Sequence, residues 1–147
     1  MKKYVIRFIS LVVLIFLFGC IQVVAFEHIQ GDPTEEPVKM RCTCYLDSGT
    51  TASGAQTRVG IAAGKREWLG RVAAIYAVDE EGNIGDFIGY YEILDTGAGI
   101  DTDGDGKGDS IRNGESLDVW QPSKEAVANW VNNYGDYVYI KIIDGKG

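Results

Sequence analysis

The stretch LDVWQPSKEAVANWVNNYGDYVYIKII, residues Leu117 to Ile143, reads as strand, helix, strand. Leu117 to Trp120 is a brief β-type run, and Tyr137 to Ile143 alternates strongly in the way of a strand. Between them, a helix is predicted from Pro122 to Tyr134. Pro122 suits a first helical turn, because its missing N–H would have no partner there. Ala126, Trp130 and Tyr134 recur at i, i+4, i+8 with Val127 and Val131 beside them, and Gly135 is placed to end the helix.

Upstream, further short runs rich in β-branched and aromatic residues cover Met40 to Leu46, Val59 to Ala63, Arg71 to Val78 and Phe87 to Leu94. Turn signals separate them at Asp47-Ser48-Gly49 and Glu81-Gly82-Asn83, and a long Gly/Asp stretch runs from Gly97 to Gly114. Six short strands and one helix predict a mainly all-β domain, closed as a small barrel.

The 147 residues suffice for one domain. The chain opens on a basic stretch, Met1 to Arg7, followed by an apolar, uncharged run from Phe8 to Ala25, the layout of an export signal. Val23-Val24-Ala25 fits cleavage before Phe26. The run is also about long enough for an uncleaved anchor, and Leu17-Phe18-Gly19-Cys20 resembles a lipoprotein processing box. Residues 26–38 read as a linker, with Gly31, Pro33 and Pro37, and residues 39–147 as the domain. An exported protein of the cell envelope, monomeric, is expected, touching a membrane only through its N-terminus.

After Ala25 stand eleven basic residues against 21 acidic ones, a net charge of −10. That balance argues against nucleic acid, whose affinity comes mostly from phosphate neutralisation. His28, the single histidine, lies in the linker, so Ser/His and Cys/His catalysis lack a base. Cys42 and Cys44, two apart on a strand, share a face. A disulfide between such close neighbours would be strained, so they read as small buried hydrophobes rather than a metal or redox pair.

Asp95-Thr96-Gly97-Ala98-Gly99, then Leu117-Asp118-Val119-Trp120, then the helix with Ala126 and Trp130, then Tyr137-Val138-Tyr139-Ile140 together resemble the three-aspartate ("3D") domain. This is the double-psi β-barrel of membrane-bound lytic transglycosylase A and of Gram-positive stationary-phase muralytic proteins. Cys42-Thr43-Cys44-Tyr45, Thr51-Ala52-Ser53-Gly54, Gly60 to Ala63 and Leu69-Gly70 extend the resemblance, which covers Met40 to Ile143. Two departures stand out. Gly64 occupies the place of the family's first aspartate, with Glu67 nearby, and a long acidic insert replaces the short link between the other two.

The resemblance implies cleavage of peptidoglycan glycan strands between N-acetylmuramic acid and N-acetylglucosamine without water, leaving a 1,6-anhydro end. It casts Asp118 as the general acid/base and Asp95 as the supporting carboxylate, with Thr96 and Gly97 shaping the turn and no cofactor needed for the chemistry. Such an acid must be protonated near neutral pH, so an apolar wall or a nearby carboxylate must raise its pKa. Leu117, Val119 and Trp120 would supply the wall, and Asp95 the charge. Hydrolysis by the same two carboxylates is a live variant. Lys65, Arg66, Trp68 and Trp120 are candidates for gripping sugar rings and peptide carboxylates.

Asp101, Asp103, Asp105 and Asp109, with Gly106, follow the opening spacing of a calcium loop, so a structural Ca2+ is a candidate ligand. Position twelve of that loop, where a glutamate is usual, is Arg112, and Glu115 could close the site from outside. Two functions compete: glycan cleavage, and a non-catalytic glycan-binding barrel favoured by the lost first aspartate. A partner-binding exported protein with no glycan role is a third reading.

Overall fold

A computed structural model describes residues 36–145. The export segment, Cys20 and His28 lie outside the described residues. Six strands form one closed barrel: β1 (Val38–Tyr45), β2 (Ile61–Ala63), β3 (Val72–Val78), β4 (Ile84–Asp95), β5 (Ser116–Trp120) and β6 (Tyr137–Ile143). Two helices accompany them, the single turn α1 (Ser110–Asn113) and α2 (Lys124–Tyr134). Among the described residues no helix is long and apolar enough to cross a membrane.

Around the barrel the order is β1-β5-β2-β4-β3-β6. β1 and β5 run parallel, as do β2 and β4, and every other neighbouring pair is antiparallel. Exchanging β1 with β4, β2 with β5 and β3 with β6 leaves this pairing scheme unchanged. The barrel is thus built from two interlocked three-stranded halves, a topology compatible with a double-psi barrel.

Alternation fills the interior. Met40 and Cys42 on β1, Leu117 and Val119 on β5, and Val138, Ile140 and Ile142 on β6 point into one core with Ala62, Ala73, Ile75 and Ile93. Cys44 packs against the same core, so the two thiols do face one way. Burial pushes the Cys44 thiol up to about 12 and Cys42 higher still, which makes both inert as nucleophiles.

Several boundaries differ from the sequence reading for local reasons. Val38, assigned to the linker, pairs with Ile140 and opens β1. β2 starts at Ile61 rather than Val59 because Gly60, with φ at 87°, breaks the run. β4 begins at Ile84 rather than Phe87, since the turn closed by Asp79 is tight enough for Ile84 to pair with Val78. α2 begins at Lys124, not Pro122, because the Ser123 hydroxyl accepts the Ala126 N–H at 3.1 Å and caps the helix. Gly135 ends it as expected. Trp130 is the side chain α2 buries, in edge-to-face contact with Tyr91 and Tyr134, whereas Val131, placed on the apolar face from sequence, is 45 % exposed.

The Gly/Asp insert between β4 and β5 docks through α1, which the sequence reading missed. Ile111 is buried, and the buried Ser110 hydroxyl lies 2.8 Å from that of Ser116 and accepts the Ile100 N–H. Gly99 permits this approach: a Cβ there would lie 2.2 Å from Ser110 Oγ.

Candidate functional site

Strand register gathers the two aspartates. Asp95 on β4 pairs with Ala63 on β2, Ala63 pairs with Asp118 on β5, and Asp118 pairs with Thr43 on β1. The two aspartates therefore stand two strand spacings apart, roughly 10 Å between Cα atoms, with a methyl group between them. A cleft of about 260 Å3 opens over this row. Asp95, Ala63, Asp118 and Tyr45 line it, together with Thr96, Gly97, Asp47 to Thr50 and Thr57 from the loops.

The two carboxylates are held differently. Three donors converge on Asp95. Its Oδ1 accepts the Ala52 N–H at 3.0 Å and the Thr96 N–H at 2.9 Å, and its Oδ2 accepts the Tyr45 hydroxyl at 3.4 Å. Burial, and then the Asp95 charge, keep the Tyr45 hydroxyl protonated far above the usual range, so it remains a donor. Through Ala52, Asp95 also fastens the β1–β2 loop that walls the cleft, an attachment extended by the Ser53 N–H to the Leu94 carbonyl.

Asp118 has the opposite environment. Its Oδ1 is buried and finds no hydrogen-bond partner among the described residues. Burial pushes its pKa up to about 6, with hydrogen bonding from Thr43 acting the other way. Its strand neighbours Leu117 and Val119 are fully buried. Leu117 and Val119 face the core, on the side of β5 opposite Asp118, so they are not the wall expected from sequence; burial, rather than the Asp95 charge invoked there, raises the carboxyl. With its pKa at about 6 the group is half protonated near pH 6 and about one-tenth protonated at pH 7, within the range in which a general acid works.

The remaining site residues distribute unevenly. Thr96 and Gly97 line the cleft. Lys65 and Trp120 do not. Trp120 braces the wall by donating its ring N–H to the Asp47 carbonyl at 3.1 Å, and Lys65 lies alongside Gly114. Trp68 packs against the core and Glu67 is exposed, outside the cleft. At Gly64, a Cβ would fall 3.1 Å from Ile93 Cγ2, 3.2 Å from Leu117 Cδ1 and 3.3 Å from Trp68 Cε3. The position at which the sequence resemblance expected a first aspartate is therefore packed among apolar side chains. Tyr45 and the Asp47 to Thr50 loop were missed as site residues, although Tyr45 lies one alternation beyond Thr43 and so shares its face.

In the acidic insert, carboxylate oxygens of Asp101, Asp103 and Asp105 lie within 4.8 Å of one another on the surface. Asp109, the fourth expected ligand, is instead engaged by Thr102, whose N–H and hydroxyl both donate to its Oδ1 at 3.0 and 2.7 Å. Asp101 accepts the Gly104 and Gly106 N–H groups, bonds that lower its pKa, so the loop is already curled around it.

No family model, curated protein or solved structure matches this chain.

Proposed function

We propose that this barrel cleaves glycan strands of peptidoglycan, with Asp118 as the general acid/base. The observation that supports it is the Asp118 carboxyl, its buried Oδ1 left without a hydrogen-bond partner, lining a cleft it shares with Asp95. In this scheme the Asp118 carboxyl gives its proton to the glycosidic oxygen as the C1–O bond breaks. The 6-hydroxyl of the same sugar then closes on C1, and the Asp118 carboxylate takes that hydroxyl's proton. The enzyme returns to its starting state, no water is consumed, and the product carries a 1,6-anhydro end. Asp95 stays an acceptor throughout, holding Tyr45 and the loop wall and placing negative charge near the cationic sugar centre of the transition state. Incubating the protein with purified peptidoglycan and weighing the fragments by mass spectrometry tests this. Anhydro ends support it. Ends heavier by one water would mean hydrolysis by the same two groups, and intact strands would leave the second reading.

That second reading, a barrel that binds glycan without cutting it, is favoured by Gly64, whose apolar surroundings leave no place for a third carboxylate. A structural Ca2+ on Asp101, Asp103 and Asp105 forms part of the proposal: their converging oxygens are hard ligands of the kind calcium takes. Export to the cell envelope is proposed from the N-terminal sequence alone.

A further inference from the structure

Away from the cleft, register builds a second feature that neither the core nor the proposed chemistry uses. Tyr139 on β6 pairs with Tyr76 on β3, Tyr76 pairs with Phe87 on β4, and Tyr90 packs on Phe87. Ring centroids are 5.3 Å apart for Tyr76 and Phe87 and 4.9 Å for Phe87 and Tyr90, with the planes tilted by 57° and 61°. Lys39, opposite Tyr139 on β1, sits with Nζ 6.0 Å from that ring and ends the row. Phe87 and Tyr90 share β4 with Asp95 of the cleft but lie eight and five residues before it, roughly 26 and 17 Å along the strand, while Tyr76 and Tyr139 stand on β3 and β6, which lie opposite β5 and β2 in the barrel order. Phe87 and Tyr90 are each nearly half exposed. Contiguous exposed aromatics of this kind mark a surface that meets a partner.

Charge narrows the partner. Glu80, Glu81 and Asp86 are exposed on the β3–β4 hairpin that carries the row, and the part of the chain after Ala25 has a net charge of −10. An anionic bilayer, a nucleic acid or a second copy of this chain would each bring like charge to that rim. An uncharged stretch of polysaccharide would not. Sugar rings present an apolar C–H face to an aromatic ring and hydroxyl edges that tyrosine can bond. We propose that Tyr76, Phe87 and Tyr90 form a second glycan-binding surface, remote from the cleft, that holds a strand by ring stacking. The choice of a glycan rests on the reading of the cleft as a glycan site.

The test is titration of the purified protein with soluble N-acetylglucosamine oligomers by calorimetry, together with retention on insoluble peptidoglycan. Phe87→Ala/Tyr90→Ala should weaken both about tenfold, because both exposed rings are removed. Phe87→Tyr should retain binding. Unchanged affinity in the double variant with an unchanged melting midpoint overturns the proposal. So does loss of self-association in sedimentation, or of binding to anionic vesicles, with glycan affinity unaltered. If the parent cuts no glycan but the double variant still loses retention, the cleft reading fails and this one stands.

Discussion

Asp118 ionises in a place that resists its charge, and removing that charge should be visible in stability. The folded pKa of about 6 stands against an ordinary value of 3.8. Below pH 3.8 the carboxyl is neutral in both states and no penalty exists. Between pH 3.8 and 6 the folded state binds the extra proton, so stability falls as pH rises through that window. At about 1.4 kcal/mol per unit the full loss is on the order of 3 kcal/mol at pH 7. Asp118→Asn keeps the size and removes the ionisation. The variant should match the parent at pH 3.5 and exceed it at pH 7 by up to about 3 kcal/mol, a large fraction of a typical domain's stability. Urea denaturation of both proteins across pH 3.5 to 7.5 reads this directly. If the two curves run parallel, or if the asparagine variant is the weaker protein at pH 7, the Asp118 carboxylate is held comfortably as an anion and the argument for a general acid collapses.

Further outcomes follow from the same geometry. Gly64→Asp, which puts a carboxyl where the resemblance to the 3D domain expects a first aspartate, should destabilise by about 3 kcal/mol or more, because it places that carboxyl among Ile93, Leu117 and Trp68. A gain in glycan cleavage without loss of stability would contradict the packing described. Gly99→Ala should lower the melting midpoint more than Gly104→Ala. Both glycines have positive φ, but only at Gly99 does the new methyl meet Ser110 Oγ and Ile111 N, and equal losses would show that the insert does not dock through α1. Millimolar calcium should raise the midpoint of the parent and not of Asp101→Asn/Asp103→Asn. At a hundredfold excess over Kd the gain is about 2.7 kcal/mol, and a midpoint indifferent to chelator removes the ion.

The barrel was legible because its signals are local and repeated. Strands such as Tyr137–Ile143 carry their alternation openly, and Gly135 announces the end of a helix. What escaped was decided by contacts over distance. Nothing in the sequence says that Ile111 lies beneath the acidic insert, because that burial depends on the close approach of Gly99 to Ser110. Ser123 was legible in principle as a cap and was passed over for Pro122. At the site, Asp95 and Asp118 stood out as motif residues, and the barrel does bring them to one cleft. Their different settings are tertiary information: Asp95 receives donors from Ala52 and Tyr45, some 43 and 50 positions away, while at Asp118 burial outweighs the hydrogen bond from Thr43. Lys65 and Trp120 were chosen for chemistry that the cleft lining does not use.

The most direct test of the central claim compares the parent with Asp118→Asn on purified peptidoglycan, following fragment release against pH. The parent should release fragments with a rate that declines as pH climbs past about 6, where Asp118 gives up its proton. The asparagine variant should bind the strands equally and cut them about a hundred to ten thousand times more slowly, because an amide has no proton to give. A variant that cuts as fast as the parent would contradict the assignment of Asp118.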